Sequence, residues 1–89
     1  MRIALTDAFL RKLARFLRIH KDIDREKIID RVFDDLRLNI NSPNLHTHKL
    51  HGKLNGLYAC SVTYRYRLVF ELRNDMIFPQ SIGSHDDVY

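Results

Sequence analysis

The sequence predicts a small α+β domain of order β-α-α-β-β-β, an antiparallel-rich sheet with a helical hairpin packed on one face. Three observations carry that expectation. Phe9, Leu13, Phe16 and Leu17 recur at i, i+4, i+7 and i+8, and Ile28, Ile29, Val32, Phe33, Leu36 and Ile40 form a second apolar stripe of helical period. The run from Leu57 to Leu72 is almost pure strand chemistry, β-branched and aromatic, with Gly56 before it and Asn74-Asp75 after it.

Taken in order, Arg2-Ile3-Ala4-Leu5 alternates as a short first strand, and Thr6 or Asp7 can cap the first helix, which ends near His20. Arg11, Arg15 and Arg18 lie on the side opposite its apolar stripe. After Lys21-Asp22-Ile23, Asp24 caps the second helix, with Glu26 in the first turn where the macrodipole favours a carboxylate. This helix stops before Pro43, and a connection so short makes the pair an antiparallel hairpin. Residues 43 to 56 follow neither period and read as a loop or frayed strand.

The central strand run folds back on itself between Thr63 and Arg65. Its second half places Tyr66, Leu68, Phe70 and Leu72 on one face and Arg67, Val69 and Glu71 on the other, so one face seeks a core and the other carries a cation. Arg67 and Arg65, with Tyr64 and Tyr66 beside the turn, suit a phosphate with a base stacked next to it. Met76 to Ile82 is a further strand in which Pro79 implies an edge or a bulge. Past Gly83, the segment Ser84 to Tyr89 is short and polar except for Val88-Tyr89, a pair with an apolar reason to dock.

At 89 residues the chain is expected to be one domain, 1–89, with 45% hydrophobic residues to fill its core. A lone Cys60 in a strand excludes an internal disulfide and reads as a buried apolar residue, with a reducing cytoplasm as the natural setting. No stretch has the roughly 18 apolar residues of a membrane helix, so no membrane partner is expected. The net charge of +4 is unevenly spread: +5 over residues 1–21, −2 over 22–38, +4 over 39–67 and −3 over 68–89. The second basic stretch also holds His46, His48 and His51, and a polyanion is the partner class these charges indicate. Three such histidines invite a metal reading, yet the spacing lacks the Cys or Glu partners of well-marked zinc motifs, so no metal or other cofactor is expected.

The run from His48 through Gly56 to Tyr58, then Tyr66-Arg67-Leu68-Val69-Phe70-Glu71, then Ile82-Gly83-Ser84-His85-Asp86-Asp87-Val88-Tyr89 resembles the RelE/ParE toxin superfamily, and within it the YafQ-like members. The likeness covers about half the chain closely. It implies the toxin of a bacterial type II toxin-antitoxin pair, a cytoplasmic, metal-independent endoribonuclease (mRNA interferase) that cuts messenger RNA in the ribosomal A site and is held by a cognate antitoxin. His48 matches a YafQ-like catalytic histidine, His85 the histidine of the C-terminal Gly-x-His signature, Tyr89 the terminal aromatic and Arg67 the strand arginine of RelE-like toxins. Ser61 and Arg65 stand where YafQ-like enzymes carry another histidine and a carboxylate.

The chemistry of such a cut agrees with these residues. A 2′-hydroxyl must be deprotonated, a phosphorane stabilised and the departing 5′ oxygen protonated. His48 is the expected base and His85 the expected acid, with Arg67 and either Arg65 or Lys53 on the phosphate. Tyr89 would stack on a base or aid proton transfer, with Lys49 and His51 as secondary contacts. The expectation is that the rings of His48 and His85 face one phosphate-sized hollow beside Arg67. Three other readings remain open at this point: a ParE-like inhibitor of DNA gyrase, which would cause DNA damage rather than loss of mRNA; a catalytically inactive RNA-binding member; and a metal-binding regulator using His46, His48 and His51.

Overall fold

Five strands and three helices follow one another in the computed structural model, which describes all residues 1–89: β1 (Arg2–Ile3), α1 (Asp7–Ile19), α2 (Asp30–Leu38), β2 (His48–Lys49), β3 (Leu57–Ser61), β4 (Tyr66–Arg73), β5 (Met76–Ser84) and α3 (His85–Val88). The sheet has the order β1-β5-β4-β3-β2, with β1 parallel to β5 and every other pairing antiparallel. The expected class is therefore the observed one, with the two-residue strand β2, in the stretch read as a loop or frayed strand, and a short terminal helix added.

Helix α1 and the turn that leads into α2 each begin on an oxygen that satisfies an otherwise orphaned amide. The Thr6 hydroxyl accepts from the Phe9 N–H at 3.1 Å, and the Asp24 carboxylate accepts from the Lys27 N–H at 3.0 Å. A wide π-helical turn over Arg25–Ile29 leads from that second cap into α2. Phe9, Leu13 and Phe16 of α1 and Val32, Phe33 and Leu36 of α2 are buried, and the Phe9 and Phe33 rings meet at 6.4 Å. They cover Cys60, Tyr66, Leu68, Phe70 and Ile77 on the sheet in one core. Each such large side chain removed from water contributes about 1.5–3 kcal/mol.

Pro79 is accommodated at a bulge, just past the two residues of β5 that β1 covers. Val69 pairs with Ser81 but Phe70 pairs with Pro79, which leaves Gln80 as the extra residue. The Gln80 carbonyl then accepts from the Lys12 Nζ at 2.9 Å, so α1 ties down the one strand position the ladder does not serve. The β4–β5 connection is a two-residue hairpin in which Asn74 (φ 51°) and Asp75 (φ 61°) both take left-handed backbone, a combination that matches the strand twist and favours these residue types.

The far face of the sheet is not simply open. Val69 is 1% exposed and forms a second small core with Leu50 and Ala59, joined by Leu54, Leu57 and Val88. The segment after Gly83, expected as a polar tail whose tip docks, is the one-turn α3. It is closed by a capping box: the Ser84 Oγ accepts from the Asp87 N–H at 3.3 Å, and the Asp87 Oδ2 accepts from the Ser84 N–H at 3.1 Å. Val88 anchors it over β3 and β4. No helix is long and apolar enough to cross a membrane.

Candidate active site

Strand register decides which candidate residues can meet. Ser61, Arg67 and Gly83 form one cross-strand row, and His48, Ala59, Val69 and Ser81 form the next, all on the face opposite α1 and α2. Two strand spacings and one row separate His48 from Arg67, about 12 Å between Cα atoms, which leaves a side-chain-sized gap between imidazole and guanidinium. A hollow of about 410 Å³ fills that gap, lined by His46, His48, Ser61, Thr63, Tyr64 and Arg67 among others.

His48 is oriented by its own loop. The Thr47 hydroxyl donates to the Ile40 carbonyl and ties the loop to the end of α2. His46 takes a left-handed φ of 49°, a conformation that costs a residue with a β-carbon about 1–2 kcal/mol. Its carbonyl lies 3.1 Å from the His48 Nδ1. A carbonyl can only accept, so Nδ1 carries the proton and Nε2 of the neutral ring keeps its lone pair. That is the tautomer a general base at Nε2 requires.

Arg67 is partly committed to structure. Its Nη1 lies 2.9, 3.0 and 3.1 Å from the carbonyls of Thr63, Tyr64 and Tyr66, and it donates into the turn that joins β3 to β4. Nε and Nη2 make no protein hydrogen bond, so the guanidinium keeps donors for an anion while its position is fixed. Its charge also reaches α3: burial pushes the Tyr89 phenol up, and Arg67 pulls against that rise.

His85 does not share the hollow. Its ring meets Tyr89 edge to face with centroids 4.4 Å apart, and it is not among the residues that line the hollow beside β2. The expectation of two imidazoles facing one hollow is corrected here, because His85 opens α3 and its ring turns to Tyr89 one turn on. Arg67 thus stands between two groups, with His48 on the β2 side and the His85–Tyr89 pair on the α3 side.

Other expected contacts separate. Lys49 pairs with Tyr58 and so points to the face opposite His48; with His51 it lines a different hollow of about 220 Å³. Lys53 sits exposed in the turn Gly52–Leu54, and exposed Arg65 lies in the β3–β4 turn outside the hollow. Tyr66 is 7% exposed and faces the helices, whereas Tyr64 is 87% exposed at the hollow, so of these two Tyr64 is the one that can offer a ring to a base. No three His, Cys, Asp or Glu side chains are placed to hold a metal ion, and His46, His48 and His51 do not form such a group.

His20 was not singled out from the sequence. Its Nδ1 is 3.0 Å from the Tyr66 hydroxyl, a contact across 46 positions.

This geometry has relatives among solved structures. The chain superposes along its full length on YafQ from E. coli strain BL21(DE3), with a TM-score of 0.79, 14% identity and 99% of that chain covered. The chain adopts the YafQ-like toxin fold. A metal-bound toxin from Helicobacter pylori matches with a TM-score of 0.77 at 21% identity, and the chain in the E. coli DinJ–YafQ complex with 0.75 at 15%, each with 100% of this chain and 99% of the other covered. No protein-family model matches the sequence, and no curated protein matches it. Within the YafQ-like fold, β2 to β5 and α3 here supply the open face and its charged residues.

Proposed function

We propose that this protein is the toxin of a type II toxin-antitoxin pair and that it cleaves messenger RNA on the ribosome without a metal. The observation that carries the reading is the contact of the His48 Nδ1 with the His46 carbonyl, which leaves Nε2 free, on the hollow that Arg67 also lines. In the proposed reaction His48 Nε2 takes the proton of a 2′-hydroxyl, whose oxygen attacks the adjacent phosphorus. Arg67 stabilises the charge that builds on the phosphoryl oxygens. The P–O5′ bond breaks and the departing oxygen takes a proton from the α3 side, where His85 is the donor and Tyr89 orients it. The products are a 2′,3′-cyclic phosphate and a 5′-hydroxyl.

Ser61 in the hollow replaces an ionisable group of the YafQ pattern, which gives His48 the base role alone. Tyr64 is the ring on which a base would stack, and a cognate antitoxin, as in the solved E. coli DinJ–YafQ toxin-antitoxin complex, would mask the basic surface. The cytoplasm, where ribosomes and mRNA meet, is the setting this reading implies.

The test is to add purified protein to translating ribosomes and map new RNA ends. Cuts ending in cyclic phosphate that vanish in a His48→Ala variant support the reading. Bound RNA without new ends would instead make the protein an inactive RNA-binding member.

A further inference from the structure

A second polar cluster lies on the other side of α3. The His20 ring, just past the end of α1, packs between Phe16 at 4.6 Å and Tyr66 at 4.7 Å, and Phe16 and Tyr66 meet edge to face at 5.1 Å. A Tyr hydroxyl can donate to an unprotonated Nδ1 or accept from a protonated one, so this contact orients the imidazole in either charge state. The ring lines a groove of about 350 Å³ that runs from α1 across Ser81, Ile82 and Gly83 to Asp87 on α3. The charged and titratable groups facing it are Lys12 and Arg15 from α1, Tyr66 from β4 and Asp87 from α3. Lys12 is held by the Gln80 carbonyl, and neither His20 nor Arg15 makes an ion pair in the groove.

Asp87 is the residue that closes the capping box of α3, and its Cβ rests on Gly83. Where Asp87 sits, His85 and Tyr89 follow, because all three belong to one helical turn. We propose that His20 is a positioning residue for α3: oriented by Tyr66, its protonated ring attracts the Asp87 carboxylate across the groove and holds His85 and Tyr89 over the sheet. The assignment rests on the nuclease reading only for its consequence, since docking of α3 can be measured without RNA. The attraction requires a charged imidazole and is therefore stronger in mild acid than in alkali.

The experiment is amide hydrogen exchange on the full chain, read at the Tyr89 N–H, which donates to the His85 carbonyl at 3.1 Å. His20→Gln should speed exchange at Tyr89 by about two- to fivefold at pH 5.5, the range of an exposed charge pair, and by less at pH 8. Asp87→Asn keeps an oxygen for the Ser84 amide but removes the charge, and in that background His20→Gln should add nothing. Unchanged exchange in His20→Gln overturns the assignment. So does an equal effect in both backgrounds, or one equal at both pH values, since loss of ring packing alone would give these. Failure of the wild-type protein to cut RNA refutes the nuclease reading instead and leaves the exchange result standing.

Discussion

Asp87 rests directly on Gly83: a β-carbon at position 83 would stand 2.8 Å from the Asp87 Cβ and 3.1 Å from its Oδ2. Helix α3 can lie on the sheet because β5 has no side chain there. Gly83→Ala should push α3 off its seat, at a cost of about 1–3 kcal/mol if the helix stays docked under strain. Thermal unfolding reports that cost, and loss of the His85–Tyr89 ring contact in NMR spectra reports release of the helix.

Arg67 should not be replaceable by lysine. An ammonium can reach the turn carbonyls or an anion in the hollow but cannot span both as the guanidinium does. Arg67→Lys is expected to lose about 1 kcal/mol of stability from the turn and most of the RNA cleavage. Arg67→Gln should also raise the Tyr89 phenol further, because the cation that opposes the effect of burial is gone. A spectrophotometric titration of the phenols measures that rise.

Acid should loosen α3 first. The Ser84 amide, then the Ser84 hydroxyl, hold the Asp87 carboxyl below its ordinary range. A depressed carboxyl stabilises the folded state above the ordinary value, and that contribution fades as pH falls through the depressed one, below about 4. Amide exchange in α3 should therefore accelerate below pH 4 before the rest of the chain does, and Asp87→Asn should remove the step.

Much of this architecture was legible because its signals are local. The helix stripes, the Thr6 and Asp24 caps, the turn at residues 63–65 and the irregularity at Pro79 all follow from periods and side-chain chemistry within a few residues. The near half of the site was legible too, since alternation in β4 places Arg67 away from the core. Three things were not. A two-residue strand has no period to read, so nothing showed that Lys49 and His51 leave the face of His48. α3 is four residues long and depends on Gly83 fitting under Asp87, a tertiary condition. The His20–Tyr66 pair joins distant positions, and a histidine at a helix end gives no sign of its partner.

Alkali should weaken the fold through Cys60. Burial, opposed only by Arg67, pushes its thiol up to about 12. An unfolded thiol ionises near 9.0, so the unfolded chain gains stability as pH rises through that value, and the loss continues toward 12, reaching up to about 4 kcal/mol. Urea unfolding at pH 7 and pH 10.5 should show the loss in the wild type and a smaller one in Cys60→Ala. At neutral pH the thiol should resist alkylation until the protein unfolds.

The most direct test of His48 as the base beside Arg67 is the single-turnover rate of RNA cleavage on programmed ribosomes for the wild type and His48→Gln, with Tm measured alongside. A fall of about 10²–10⁴ with an unchanged Tm is expected, together with no cleavage of an RNA carrying a 2′-deoxy sugar at the cut. Equal rates for the two proteins, or cleavage at the deoxy position, would contradict it.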